Sequence, residues 1–230
     1  VVIVVHLSGQ PSSLKKIHEL SQIYKFKIIE DASHAIGAKY LDNYIGSCRF
    51  SDITVFSFHP VKIITTAEGG MAVTNQEQIF NKLSLLKTHG ITRDNSLMIE
   101  PSHGPWYYEQ VELGFNYRMS DLHAALGLSQ IKRLHQFVAK RHSIAKVYND
   151  EFASLPITTP WQDPKHYSSF HLYIIRIDSL KLDHLKFFQG LIAANINVNL
   201  HYIPIYRHPF YQQFGYKVEH FPEAEEYYSQ

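Results

Sequence analysis

Two apolar runs, Val1-Val2-Ile3-Val4-Val5 and Phe26-Lys27-Ile28-Ile29-Glu30, flank a stretch that places Leu14, Ile17, Leu20 or Ser21, and Tyr24 along one helical face. Strand, helix and strand in close succession predict a βαβ unit, with the two strands parallel and joined by a right-handed crossover. The first strand is read as buried and spans Val1 to Leu7. Ser8-Gly9-Gln10-Pro11 forms the loop, and Ser12 is the expected helix N-cap. This unit fixes the class as α/β. It also places Glu30 and Asp31 at the C-terminal edge of a parallel strand, the edge at which open α/β sheets bind ligands.

Downstream, Gly37 to Tyr40 and Tyr44 to Ser47 predict a short hairpin around Asp42-Asn43, and Ile53-Thr54-Val55-Phe56 predicts another strand. It leads into Ser57-Phe58-His59-Pro60-Val61-Lys62, and Gly69-Gly70 leads out into Met71 to Thr74. Lys62 therefore sits on a loop fixed at both ends. A lysine held beside apolar residues is desolvated, which favours the neutral amine and suits a Schiff-base nucleophile. Read alone, the residue is better taken as a surface lysine in a turn, because lysines are usually exposed.

Further along, Glu77 to Lys87 has helical periodicity, whereas His89 to Asn116 has none and gathers Pro101, Gly104, Pro105, Trp106, Tyr107 and Tyr108 in a long functional loop. Ser120 is the expected cap of a connecting core helix with Leu122, Leu126, Ile131 and Leu134 as its stripe, continuing toward Phe152. The proline-rich stretch from Leu155 to Pro164 is the expected boundary between domains 1–154 and 155–230. Beyond it, a strand is expected at Phe170 to Ile177, a helix at Leu182 to Asn195 and a second strand at Ile196 to Leu200.

Three ordered motifs, Glu30-Asp31-Ala32-Ser33-His34-Ala35, Phe56 to Lys62 with Glu68-Gly69-Gly70, and Gly114-Phe115-Asn116-Tyr117-Arg118-Met119, resemble the pyridoxal-phosphate-dependent nucleotide-sugar aminotransferases of the DegT/DnrJ/EryC1/StrS family. The resemblance implies PLP fold type I, like aspartate aminotransferase. The chain would supply the second half of the large parallel or mixed-sheet domain and an incomplete small C-terminal α/β domain. It implies pyridoxal 5'-phosphate as cofactor. Lys62 would be both its attachment point and the proton-shuttling base, and Asp31 the partner of its pyridinium nitrogen. By the same pattern His34 lies near the cofactor ring and its phenolic oxygen, Ser57 donates its hydroxyl to the phosphate, and Asn116 reaches the neighbouring subunit's phosphate in a homodimer.

Thr65 to Gly70 and Gly104-Pro105-Trp106-Tyr107-Tyr108 look like the members that aminate C4 of a UDP-linked 4-keto-6-deoxy N-acetyl sugar on the way to pseudaminic acid, with glutamate as donor. Sugar dehydratases of the family have histidine where Lys62 stands, so they are the less favoured reading. A catalytically incompetent fragment or interaction module is the alternative of a different class. The chain starts without methionine inside a strand, as a piece of a longer protein would, and the family's upstream phosphate loop and ring-stacking aromatic are not in it.

With 22 basic against 21 acidic residues, no electrostatic footprint for nucleic acid is expected. No apolar run approaches the ~18 residues of a membrane span. The single cysteine, Cys48, excludes an intrachain disulfide and fits a reducing cytoplasm. Fifteen histidines invite a metal reading, but no HExxH occurs, and His201 with His208 or His166 with His171 lacks supporting acids, so no metal is expected. No glycine-rich nucleotide loop occurs either.

Overall fold

A computed structural model describes residues 1–178 and 182–230. They divide into two compact units: residues 1–144 with 162–172, and residues 145–161 with 173–230.

The first unit is built on a four-stranded sheet. β1 (Val2–Val5), followed by α1 (Leu14–Tyr24), pairs in parallel with β2 (Ile28–Asp31). After the hairpin of β3 (Lys39–Tyr40) and β4 (Asn43–Tyr44), β5 (Ile53–Ser57) adds to β2 in parallel, and β6 (Gly70–Val73) returns antiparallel to β5. The order is β1-β2-β5-β6, a mixed sheet whose parallel part is the expected βαβ unit. Val4, Leu14, Ile28, Ala32, Ala35, Tyr40, Ile45, Phe56, Phe58 and Ile64 form its core.

Two details differ from expectation. The β1 strand stands at the sheet edge, so Val4 is buried while Ile3 is 64% exposed. Ser12 does not cap α1: its hydroxyl donates to Val5 O and its N–H to His6 Nδ1, and the helix begins after Ser13. Of the alternatives for the helix face, Ser21 turns inward and Leu20 outward, because the Ser21 hydroxyl is satisfied by His18 O at 2.7 Å.

α2 (Glu77–Leu86) is followed by β7 (Ile91–Thr92) and β8 (Glu109–Gln110), a small antiparallel pair inside the long aromatic loop. Ser120 caps α3 (Asp121–Ile131) by accepting from His123 N–H, as expected. Among the described residues its stripe meets the core only at the far end: Leu122 is 84% exposed, whereas Leu134, just beyond the helix, packs against the core. A break at residues 132–133 separates α3 from α4 (Leu134–Phe152).

In the second unit β9 (Ile157–Thr158) pairs antiparallel with β10 (Arg176–Ile177), and α5 (His184–Ala193) is capped by Asp183. The short helices α6 (Pro209–Gln212) and α7 (Pro222–Ser229) follow. Ile196 to Leu200 forms no strand, and of Phe170 to Ile177 only β10 does. Among the described residues no helix is long and apolar enough to cross a membrane.

Candidate active site

The lysine loop is held from inside. Phe58 N–H donates to Gly69 O across its neck, Phe58 O accepts from Thr66 N–H and the Thr65 hydroxyl, and Ile63, Ile64 and Thr66 are buried. Neighbouring Gly70 pairs with Ser57, and a Cβ there would stand 2.8 Å from Phe56 O, so only glycine lets β6 close this tightly on β5. Lys62, between these anchors, is half-buried. Burial pushes its ammonium below the ordinary lysine range, and the Asp31 carboxylate, close enough for the two charges to interact, opposes that shift.

Asp31 ends β2, where its Oδ1 accepts from Ser33 N–H at 3.0 Å and starts the turn that carries His34. Ala32 and Ala35 are fully buried, which draws this turn onto the sheet edge. Ser8 N–H donates to His34 Nδ1 at 3.3 Å. Ser57 is the last residue of β5, and its hydroxyl accepts a long bond from His59 N–H, 3.4 Å. The structure thus gathers Asp31 and Lys62, sets His34 on the turn following Asp31, and puts Ser57 at the entrance of the lysine loop. Asn116 makes its contacts elsewhere: it bridges Thr88 through the backbone, accepts from Arg118 Nη2 at 3.2 Å, and is exposed.

Beneath the site lies a polar cluster that sequence reasoning missed. Glu30, one residue before Asp31 and therefore on the opposite face of β2, is 2% exposed, and His6 is fully buried. His6 Nε2 donates to Glu30 Oε2 at 2.9 Å, while Thr54 and Ser51 hydroxyls donate to Oε1. Burial pushes the Glu30 carboxyl up, but hydrogen bonds from His6, Ser51 and Thr54 outweigh it and hold the acid below its ordinary 4.5. The sequence signal was slight: a histidine closing an apolar run.

Among the described residues, no three His, Cys, Asp or Glu side chains gather to hold a metal. A partly desolvated amine beside a carboxylate is instead the donor set that binds a carbonyl-bearing, cationic ring.

The sequence pattern of the DegT/DnrJ/EryC1/StrS aminotransferase family matches residues 1–230. The chain belongs to that family. It is 38% identical over 213 residues to the UDP-4-amino-4,6-dideoxy-N-acetyl-beta-L-altrosamine transaminase of Campylobacter jejuni serotype O:2, covering 91% of this chain and 54% of that protein. Its fold superposes on Helicobacter pylori PseC, an aminotransferase of pseudaminic acid biosynthesis, with a TM-score of 0.88, 30% identity and coverage of 99% of this chain and 58% of the other. It also superposes on Spr1654 of Streptococcus pneumoniae in its PLP form, with a TM-score of 0.84, 28% identity and coverage of 99% and 61%. The chain therefore spans between about half and three fifths of these relatives' lengths. The mixed α/β fold expected from the family motifs, fold type I, is the fold it shares with them, and pyridoxal phosphate is the family's cofactor.

Proposed function

We propose that this chain carries the lysine-bearing part of a PLP-dependent aminotransferase that transfers an amino group from glutamate to a UDP-linked 4-keto-6-deoxy N-acetylamino sugar. The observation that carries the proposal is the half-buried Lys62, whose ammonium burial disfavours, beside the Asp31 carboxylate. The likeness to the Campylobacter jejuni transaminase and to PseC supports the sugar, and the motifs shared with such enzymes support the donor.

Bound pyridoxal phosphate would supply an electron-accepting ring that makes a proton on the adjacent substrate carbon removable. The residues of this chain then have distinct tasks. Lys62 Nζ anchors the cofactor and, when freed as a neutral amine, takes a proton from carbon and returns it; its desolvation serves that purpose. Asp31 places an anion beside the ring nitrogen and raises that nitrogen's proton affinity, each pKa unit being worth about 1.36 kcal/mol. His34 would lie near the phenolic oxygen. The Ser57 hydroxyl, which accepts a long bond from His59 N–H, would turn to the phosphate. Asn116, exposed and on a separate loop, completes the phosphate site of a second copy of the chain in a symmetric dimer.

The same proposal makes residues 1–154 part of the large cofactor domain and 155–230 part of a small domain, in a cytoplasmic protein that binds neither nucleic acid nor membrane. Lysine at position 62 favours amino transfer over the dehydratase reading. The test is absorbance of the full-length protein with pyridoxal phosphate before and after borohydride. The wild type should trap one equivalent of cofactor per chain and Lys62→Ala none; trapping that survives Lys62→Ala overturns the assignment.

A further inference from the structure

We propose that His171 is a positioning residue, which fixes the ring of His34 and keeps its Nε2–H turned toward the cofactor; the cofactor half of this statement rests on the function proposed above. The two imidazoles are in ring contact, with centroids 4.4 Å apart and planes tilted by 41°. His171 is 8% exposed, so its ring is part of the packed wall and not a surface side chain. Ser8 N–H donates to His34 Nδ1, a bond that exists only while Nδ1 carries no proton. The neutral ring then holds its hydrogen on Nε2, the form that donates to a phenolic oxygen.

The segment bearing His171 is built to stay in place. The Ser169 hydroxyl donates to His34 O at 2.8 Å and Ser169 N–H to Gly9 O at 3.1 Å, while Leu172 N–H reaches Ser8 O. From the other side, Arg141 Nη1 donates to the consecutive carbonyls of Phe170 and His171, and His142 Nε2 donates to Ser168 O at 2.7 Å. Phe170 adopts φ 46° as it presents those carbonyls, a left-handed backbone that a non-glycine residue keeps only where its surroundings hold it. Gly9, at φ 98°, permits the approach, since a Cβ there would lie 2.4 Å from Ser169 Oγ and 3.0 Å from His34 O. Residues 8–9, 34 and 168–172 thus form one clamp in which the His171 ring is the face that His34 rests on.

The experiment is ¹⁵N-histidine NMR of the full-length protein without cofactor, with His34→Gln identifying the His34 signals, followed by pyridoxal phosphate titration. Wild type should show a single Nε2–H tautomer at His34. His171→Ala should give averaged tautomers and a cofactor Kd raised roughly tenfold, a change of about 1.4 kcal/mol. His171→Phe, which keeps a ring, should restore the tautomer and most of the affinity. A single Nε2–H tautomer in His171→Ala overturns the proposal, and so does an averaged one in His171→Phe, which decides the matter even where the alanine variant does not fold. Failure of every variant and of wild type to bind pyridoxal phosphate would refute the proposed function while leaving the tautomer comparison to judge the clamp.

Discussion

Replacing Glu30 by glutamine changes one charge and no volume, in a site where every partner is known. The carboxamide can point its oxygen at His6 Nε2–H and its NH₂ at the Thr54 and Ser51 hydroxyls, which can rotate to accept; Thr54 Oγ1 then turns its hydrogen toward Cys48 Sγ, 3.4 Å away. Ser51, half-buried, can turn its own hydrogen to solvent. Three charge-assisted bonds become neutral ones, each weaker by about 1 kcal/mol, and the cost of burying an anion, several kcal/mol at most, is removed. The direction of the Glu30 shift decides between these opposed effects: an acid held below 4.5 is one whose folded surroundings favour the anion. Glu30→Gln should therefore destabilise the protein at pH 7, by on the order of 1–2 kcal/mol. Because the folded value is depressed, the anion's contribution is full above pH 4.5 and is lost as pH falls through the lower folded value. The difference between wild type and variant should shrink below pH 4.5 and be flat above it. Urea unfolding followed by circular dichroism, at one fixed protein concentration so that association does not shift the midpoint, measures it. A variant as stable as wild type at pH 7, or a gap that widens on acidification, refutes the reasoning.

Asp31→Asn should retain borohydride-trappable cofactor but lose at least a hundredfold in turnover, about 2.7 kcal/mol, because a neutral amide does not hold the ring nitrogen protonated; turnover within tenfold of wild type would remove Asp31 from that role. Mixed dimers of Lys62→Ala and Asn116→Ala chains should regain one active site per dimer, because one pocket then carries both lesions and the other neither. Verified heterodimers with no recovered activity would show that each pocket is built from a single chain.

The parallel strands and the lysine loop were legible because their signals are local. Apolar runs bounded by Gly-Gly or by acids mark β2 and β5 whatever surrounds them, and the spacing from Ser57 to Gly70 sets the loop. Where the outcome depends on a partner, sequence pattern misleads. Ile196, Val198 and Leu200 alternate as a strand should, yet among the described residues no strand pairs with them, and Ile196 N–H closes back on Leu191 O at 2.9 Å. Residues 170–175 fail in the same way: Ser169 and Leu172 N–H donate to Gly9 O and Ser8 O, Arg141 takes the carbonyls of Phe170 and His171, and only Arg176 and Ile177 form β10. The clamp was invisible for the same reason, since Ser169 meets His34 across 135 residues of sequence. Leu122 and its stripe show that helical periodicity predicts a face without saying what covers it.

The two consecutive carboxylates of β2 also act as a reading-frame check on the strand. Asp31 faces Lys62 only when Glu30 faces His6, and His6 joins the two: its ring binds Glu30 and its backbone N–H binds Asp31 O at 3.1 Å. A slip of one residue would send Asp31 into the cavity shaped for glutamate and Ala32 to the lysine, or, in the other direction, Glu30 to the lysine and Ile29 under His6. Either slip takes both slots from their proper side chains at once. A change of length in the connector between α1 and β2, residues 25–27, that carried this register with it would therefore disturb the foundation and the working edge of the site at once.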